Sequence, residues 1–155
     1  MEKLEAGAKA PKFDLAADGG GRVKLSDFAG KKLVLYFYPA DDTSGCTLEA
    51  IDFTTLLPDF LKANTAIVGV SPDSAESHDK FKAKHKLGLT LAADPDRKAI
   101  DAYGLWVEKN NYGKKYMGVE RATFLIDRTG KIARAWHNVR VKGHAEDVLE
   151  AAKSL

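Results

Sequence analysis

The amino-acid sequence predicts one layered α/β domain, in which parallel crossovers come first and an antiparallel hairpin comes last. Two apolar runs rich in β-forming residues, Leu33 to Tyr38 and Ala66 to Val70, have the length and composition of buried strands. The segments that follow them have the apolar spacing of helices. Near the end of the chain, DRTGK joins two further strand-like segments through a tight turn. These patterns predict a central mixed sheet flanked by helices.

The first elements are expected to form an N-terminal hairpin. Its two short strands are Phe13 to Ala17 and Val23 to Leu25. The segment DGGGR between them is a turn signal, because glycine adopts positive φ at no steric cost.

A helix is expected after each of the two buried strands. The first covers Thr47 to Ala63, where Pro58 predicts a kink or a restart. Asp73 or Ser74 is expected to cap the second, which ends in the basic stretch Lys80 to Lys86. We interpret that stretch as a solvated helix face, with docking of an acidic reductase as the alternative.

The second half of the chain consists of short elements, and their order in the sheet stays open. Glu108 to Tyr116 is expected to be a flexible polar loop that borders any site near the strand after it. The other elements are a strand over Leu89 to Asp94, a helix ending at Gly104, strands over Ala122 to Asp127 and Ile132 to Trp136, and a helix over Gly143 to Ser154.

Composition excludes several classes of function. The chain has 155 residues, which fits a single domain over residues 1–155. Its formal net charge of +2 is too small to predict binding to nucleic acid or membranes. It has no transmembrane-length apolar run, and its N-terminus lacks an apolar signal core. With its one cysteine, which excludes an internal disulfide, the chain is expected to be cytoplasmic.

That single cysteine, Cys46, lies in the segment YPADDTSGCTLEA, where a strand has ended and a helix is starting. A thiol in the first turn of a helix faces unpaired backbone N–H groups and the positive end of the helix dipole, and both favour the reactive thiolate. Thr43 is placed to cap this helix and to offer its hydroxyl to a molecule approaching the sulfur. Pro39 is placed to shield one side of the thiolate from water.

Other roles for these residues have to be weighed. Cys46 could be a small buried apolar residue, as free cysteines often are. Dithiol exchange within the chain is excluded, because Thr43 stands where the first cysteine of a C-x-x-C motif would be. No metal and no cofactor are expected, because the histidines lack zinc-ligand spacing from Cys46. They are interpreted as surface or helix-end residues, and they are His78, His85, His137 and His144.

The segment FYPADDTSGCTLEA resembles the peroxiredoxin active-site pattern P-x-x-x-T-x-x-C, which Pro39, Thr43 and Cys46 fill here. Three later segments, VGVSPDSAESHDKF, LTLAADPDRKAIDAYG and ERATFLID, are similar in order and spacing to the bacterioferritin comigratory protein, or PrxQ-type, subgroup. The resemblance covers nearly the whole chain. It implies a thioredoxin-like fold and the thiol-dependent reduction of hydrogen peroxide and organic hydroperoxides.

The resemblance also implies a role for each matching residue. Cys46 is the peroxidatic cysteine, whose thiolate attacks the peroxide and becomes a sulfenic acid. Thr43 hydrogen-bonds the peroxide, and Pro39 shields the sulfur. Arg121, in ERATF, stabilises the thiolate and orients the peroxide, as a guanidinium next to sulfur and developing oxygen charge is able to do. The alternative for Arg121 is a solvated charge at a strand end.

Two supporting residues are less specific. Glu49 is placed to pair with Arg121 or to reach back to the capping region, and a solvated helix acid is the alternative. Tyr38 ends the buried strand, where it either lines the pocket or packs in the core.

The chain departs from the subgroup's pattern in two ways. Ser44 stands where proline is usual. Members often carry a resolving cysteine five residues after the peroxidatic one, at Ile51 here, or on the following helix, near Lys82 here. The resemblance therefore implies a one-cysteine enzyme, reduced by an external thiol such as thioredoxin, glutaredoxin or a small thiol. It also implies a monomer rather than an oligomer.

Two other functions remain open from the sequence. A peroxide sensor or thiol relay would pass its oxidation from Cys46 to a partner protein, and the missing second cysteine favours it. A thioredoxin-fold binding or holdase protein would carry an inert Cys46.

Overall fold

The computed structural model describes residues 3–155, which form a seven-stranded mixed sheet and a separate two-stranded ribbon. The strands, in chain order, are β1 (Asp14–Ala17), β2 (Arg22–Lys24), β3 (Lys32–Phe37), β4 (Thr65–Ser71), β5 (Thr90–Ala93), β6 (Trp106–Asn111), β7 (Lys114–Val119), β8 (Ala122–Ile126) and β9 (Ile132–Trp136). The helices are α1 (Ser44–Lys62), α2 (Ala75–His85), α3 (Lys98–Ala102) and α4 (His144–Ser154).

Strand β3 lies near the middle of the sheet, whose order is β2-β1-β5-β4-β3-β8-β9. It pairs in parallel with β4 and antiparallel with β8, and β4 pairs in parallel with β5. The hairpin β1–β2 joins the sheet antiparallel to β5. The mixed sheet and the N-terminal hairpin predicted from the sequence are both confirmed.

The side chains of β3 divide the core into two layers, because successive residues of a strand point to opposite faces. Leu33, Leu35 and Phe37 pack with α3 and the N-terminal hairpin on one face. Val34 and Tyr36 pack with α1, α2 and α4 on the other face. All six residues of β3 are buried, as the continuous apolar run predicts for a central strand.

Two local predictions were wrong. The segment Glu108 to Tyr116 is not a loop, because it belongs to the antiparallel ribbon β6–β7. Tyr112 and Gly113 both have positive φ at its tip, which suits a tight hairpin turn. Helix α1 starts at Ser44 instead of Thr47, and it runs 19 residues through Pro58, so of the two alternatives predicted at Pro58 the restart does not occur. Within residues 3–155, no helix combines the length and apolar character needed to cross a bilayer.

Candidate active site

Cys46 lies in the first turn of α1, directly after the loop that follows β3. Its side chain is buried, with 2% of the residue's surface exposed. Thr43 occupies the N-cap position, and its carbonyl accepts the first helical hydrogen bond, from the Thr47 amide at 2.8 Å. The parallel crossover from β3 to α1 therefore brings the sulfur to the carboxyl end of the central strand, where α/β folds place their sites.

Arg121 connects Cys46 to Glu49. Its Nη2 lies 3.3 Å from Cys46 Sγ, and its Nη1 donates to Glu49 Oε1 at 2.7 Å. A Cβ added at Gly45 would lie 3.3 Å from the same Nη2, so a glycine lets the guanidinium approach the start of α1. The Arg121 carbonyl accepts from the Val139 amide at 2.9 Å, which holds the backbone in place just before β8. The structure thus brings together three residues singled out from the sequence.

Burial and charge attraction act in opposite directions on Glu49 and Arg121. The Glu49 side chain is 1% exposed, and burial raises its pKa to about 7 although Arg121 opposes the rise. Burial acts to lower the pKa of Arg121, but the charges of Glu49 and Cys46 outweigh it and the pKa is raised. Arg121 therefore stays charged, and its positive charge lies beside the Cys46 sulfur.

The loop between β3 and α1 carries Pro39 and Thr43. Thr43 Oγ1 donates to the Ala40 carbonyl at 3.0 Å and accepts no hydrogen bond from the helix. The prediction that the Thr43 side chain caps α1 is therefore wrong, although the residue does occupy the N-cap position. Its exposed hydroxyl oxygen retains the capacity to accept a proton from an approaching molecule.

A pocket of about 510 Å³ adjoins Pro39 and Arg121. Its far wall comes from the ribbon β6–β7, including Val107, Lys109 and Tyr116. Lys109 was missed by sequence reasoning, because it lies in the segment predicted to be a loop. Burial and the charge of Arg121, which lines the same pocket, lower the pKa of Lys109. Cys46 does not line this pocket, but Arg121, whose guanidinium contacts the Cys46 sulfur, does.

The remaining site predictions have mixed outcomes. Tyr38 is 1% exposed, and its hydroxyl donates to Asp41 Oδ1 at 2.6 Å, so it anchors the loop instead of lining the pocket. Ser44 is the first residue of α1, and Ile51 is 38% exposed on the same helix. Lys82 pairs with Asp18 at 2.7 Å and Lys84 with Asp42 at 2.6 Å. The basic stretch of α2 is thus partly paired, but Lys80, Lys84 and Lys86 are exposed, as expected for a solvated face.

The histidines also differ from expectation. His85 and His144 lie at helix ends, as predicted, but His78 is fully buried inside α2 and the His137 side chain after β9 is 12% exposed. Burial lowers the pKa of His144 to about 4, so its ring is neutral beside Thr123. In the part of the chain that the structure describes, no three histidine, cysteine or acidic side chains cluster as metal ligands would.

Comparisons with known proteins agree with this geometry. The family model described as the AhpC/TSA family matches residues 6–135. Peroxiredoxin Bcp of Bacillus subtilis is 48% identical over 152 residues, which cover 98% of this chain and 97% of the relative. Peroxiredoxin Bcp of Escherichia coli is 37% identical, with 99% and 98% covered.

Solved structures extend the similarity to three dimensions. A structure of the Xanthomonas campestris bacterioferritin comigratory protein, from work on its alkyl peroxide reduction activity, matches with a TM-score of 0.90. It shares 44% identity, and the match covers 96% of this chain and 98% of that one. Two other structures of the same organism's peroxiredoxin Q are mutants in which one of two different cysteines is serine. Those two cysteines are separated by the same number of residues as Cys46 and Lys82.

Proposed function

Since the chain belongs to the AhpC/TSA family, as a peroxiredoxin of the Bcp type with a thioredoxin-like fold, we propose that Cys46 is its only redox-active sulfur and that Arg121, Thr43 and Pro39 complete the catalytic site. The observation that carries this proposal is the Arg121 guanidinium, which contacts Cys46 and Glu49 at once. The substrates are hydrogen peroxide and organic hydroperoxides. Alkyl peroxide reduction by the Xanthomonas campestris relative supports the second class.

The first half of the reaction oxidises the sulfur. The Cys46 thiolate attacks the terminal oxygen of the hydroperoxide, an S–O bond forms and the O–O bond breaks. The sulfur becomes a sulfenic acid, and the other oxygen leaves as hydroxide or alkoxide and takes a proton to give water or alcohol. Arg121 stabilises the charge that develops on the oxygens. The Thr43 hydroxyl oxygen accepts a hydrogen bond from the peroxide O–H. Pro39 shields the sulfur from water.

The second half requires sulfur from another molecule. An external thiol attacks the sulfenic acid, releasing water and forming a mixed disulfide with Cys46. A second external thiol then breaks that disulfide and regenerates the Cys46 thiolate. The chain has no second cysteine, at Ile51, at Lys82 or elsewhere, which supports an external reductant of the thioredoxin, glutaredoxin or small-thiol class.

Two finer points belong to the same proposal. We expect the protein to act as a monomer, because the trio of Cys46, Glu49 and Arg121 is complete within one chain. We expect it to act in a reducing compartment such as the cytosol, where external thiols are abundant.

Reaction of the reduced protein with one equivalent of hydrogen peroxide tests the proposal. With a sulfenic-acid trap present, intact mass should show one adduct on the parent protein and none on Cys46→Ser. Arg121→Gln should slow adduct formation by about 10²- to 10³-fold, because it removes a donor to the developing oxygen charge. Arg128→Gln, which changes an arginine on the β8–β9 turn, is the matched control and should react at the parent rate.

Three results would change the conclusion. Peroxide consumption by Cys46→Ser at the parent rate would refute the role of Cys46. Slow oxidation of the parent, like that of an unactivated thiol, would favour a binding or holdase protein. Fast oxidation without turnover by any small thiol, together with trapped mixed disulfides to one cellular protein, would favour a sensor or relay.

A further inference from the structure

His78 is a buried histidine that the proposed chemistry does not use. It lies on α2, and the whole residue is 0% exposed. Its Nδ1 is 2.8 Å from Asp41 Oδ2, and its Nε2 is 2.9 Å from the Ala92 carbonyl oxygen on β5. Both ring nitrogens therefore face acceptors.

This geometry determines the protonation of the ring. A carbonyl oxygen only accepts, so Nε2 must carry a proton. Asp41 Oδ2 also accepts from Ser77 Oγ at 2.7 Å, and Oδ1 accepts from the Tyr38 hydroxyl at 2.6 Å, which suits an ionised carboxylate. Nδ1 must then donate as well. His78 is thus an imidazolium, and it forms a buried ion pair with Asp41.

Asp41 belongs to the loop that carries the proposed catalytic residues. It lies two residues after Pro39 and two before Thr43. Its backbone amide donates to Asp73 Oδ2 at 2.8 Å, so the loop is fixed through the main chain too. The next residue, Asp42, has a positive φ of 59° and pairs with His85 and Lys84 near the end of α2.

We propose that α2 is a positioning element of the peroxidase site, in which protonated His78 holds Asp41 and thereby sets the places of Pro39 and Thr43 relative to the Cys46 sulfur. This inference rests on the proposed function. His78 touches neither Cys46 nor the pocket, so it acts through the loop. A displacement of about 1 Å at a reacting centre costs up to about 10²-fold in rate, so a loop held by side chains from α2 matters to catalysis.

The ion pair exists only within a range of pH. Burial acts to lower the pKa of His78, but its hydrogen bond to Asp41 and the charges of Asp41 and Asp73 outweigh burial and raise it. Burial acts to raise the pKa of Asp41, but hydrogen bonds from His78 and Tyr38 lower it overall. The titratable groups facing His78 are Asp41 from the loop, Asp73 from the β4–α2 connection and Tyr38 from the end of β3.

The sign of the pH effect follows from these directions. The pair is lost in acid as the pH falls through the lowered pKa of Asp41, and in alkali as it rises through the raised pKa of His78. Alkaline loss is the change to test, because deprotonated His78 no longer holds Asp41 and the loop between Pro39 and Thr43 as an ion pair does. The rate constant for Cys46 oxidation is therefore expected to fall at alkaline pH as His78 loses its proton.

Two substitutions separate the contacts of His78. In His78→Asn, the amide nitrogen replaces Nδ1 and keeps a neutral donor to Asp41. In His78→Gln, the amide nitrogen replaces Nε2 and keeps the hydrogen bond to the Ala92 carbonyl. The oxidation rate constant of Cys46 is measured by single-turnover reaction with hydrogen peroxide across pH, with the free energy of unfolding of each variant measured in parallel. Alkylation of Cys46 by iodoacetamide reports the thiolate separately.

We expect His78→Gln to lower the oxidation rate constant by about 10- to 10²-fold, and His78→Asn to lower it less. Both should lose the alkaline decrease while keeping the parent's alkylation profile. Equal rate losses that follow the loss of stability, or an alkaline decrease that persists in both, would overturn the proposal. If neither variant folds, Ser77→Ala removes a smaller contact to Asp41, and an unchanged oxidation rate in it would also count against the proposal.

Failure of this inference is distinguishable from failure of the proposed function. If the parent forms sulfenic acid rapidly but the His78 variants match it at every pH, only the positioning role is refuted. If the parent itself reacts slowly, the proposed function is refuted first.

Discussion

At the scale of single residues, Glu49 is a side chain whose burial lowers the stability of the folded protein. It is buried on α1, and its Oε2 has no hydrogen-bond partner among residues 3–155. A buried carboxylate with one unsatisfied oxygen costs free energy, and its pKa of about 7 expresses that cost. Glu49 accepts a hydrogen bond from Arg121 and so fixes the guanidinium next to the sulfur. Such an exchange of stability for geometry is typical of functional sites.

Glu49→Gln should therefore make the protein more stable and less reactive. Folding raises the pKa of Glu49 from 4.5 to about 7, so its unfavourable effect on stability grows as pH rises through that interval. Above pH 7 we expect the variant to exceed the parent in free energy of unfolding by on the order of 3 kcal/mol. Oxidation of Cys46 should slow, because a neutral amide holds Arg121 less firmly than a carboxylate does.

Urea unfolding of both proteins at pH 4.5 and pH 8 measures this difference. Glu76→Gln on α2 is the control, since that side chain is 83% exposed and its replacement should change neither quantity. A stability difference that stays constant between the two pH values would contradict the raised pKa of Glu49.

The site residues were not equally predictable from sequence. Cys46 and Arg121 stand in short segments that resemble those of a known family, so the sequence alone could single them out. His78 and Asp41 are 37 positions apart and meet only because α2 packs beside the β3–α1 loop. Nothing local to SAESHDKF distinguishes a buried histidine from an exposed one. Thr43 was assigned the correct position but the wrong hydrogen bond, because the loop's path decides which acceptor its hydroxyl reaches.

At the scale of elements, the pairing of β3 with β4 depends on a glycine. Tyr36 lies opposite Gly69 in the register, and a Cβ added at Gly69 would lie 2.7 Å from Tyr36 Cζ. The Tyr36 ring cannot easily withdraw, because it stacks on Tyr38 and Phe53 with centroids at 5.5 and 4.8 Å. The glycine therefore makes room for an aromatic cluster beneath α1.

Gly69→Ala should destabilise the protein by about 1–3 kcal/mol, as overpacking of a filled core does. Gly88→Ala is the matched control, because its added Cβ would meet Leu57 at an ordinary 3.4 Å. Urea unfolding midpoints of the two variants and the parent test the difference. Equal midpoints for both variants would mean that the Tyr36 ring shifts freely and that the cluster is loosely packed.

Elements with at least one buried face were predicted well, and the exposed ribbon was not. Strand β3 is apolar throughout because both its faces are covered, and this makes it easy to recognise. The ribbon β6–β7 is polar and largely exposed over Lys109 to Lys115, so no alternation of apolar and polar residues marks its strands. The positive-φ turn at Tyr112 and Gly113 was not predicted, because asparagine or glycine is usual where Tyr112 stands.

At the scale of the whole molecule, two core layers share one sheet. Trp106 packs against the layer that contains α3, and Trp136 packs against the layer that contains α1, α2 and α4. Strand β3 contributes alternate side chains to both layers. Neither layer can lose its packing without exposing one face of the same central strand, so the two layers should be thermodynamically coupled.

A single cooperative unfolding transition is therefore expected for residues 1–155, and the two tryptophans make it testable. The chain contains two tryptophans, so Trp106→Phe leaves a reporter in one layer and Trp136→Phe leaves a reporter in the other. In each variant, the urea midpoint from tryptophan fluorescence should coincide with the midpoint from far-UV circular dichroism. The comparison is made within each variant, because a substitution can shift its overall stability. A fluorescence transition that precedes the loss of secondary structure in only one variant would show that its layer unfolds independently, and the molecule would then comprise two cooperative units joined through β3.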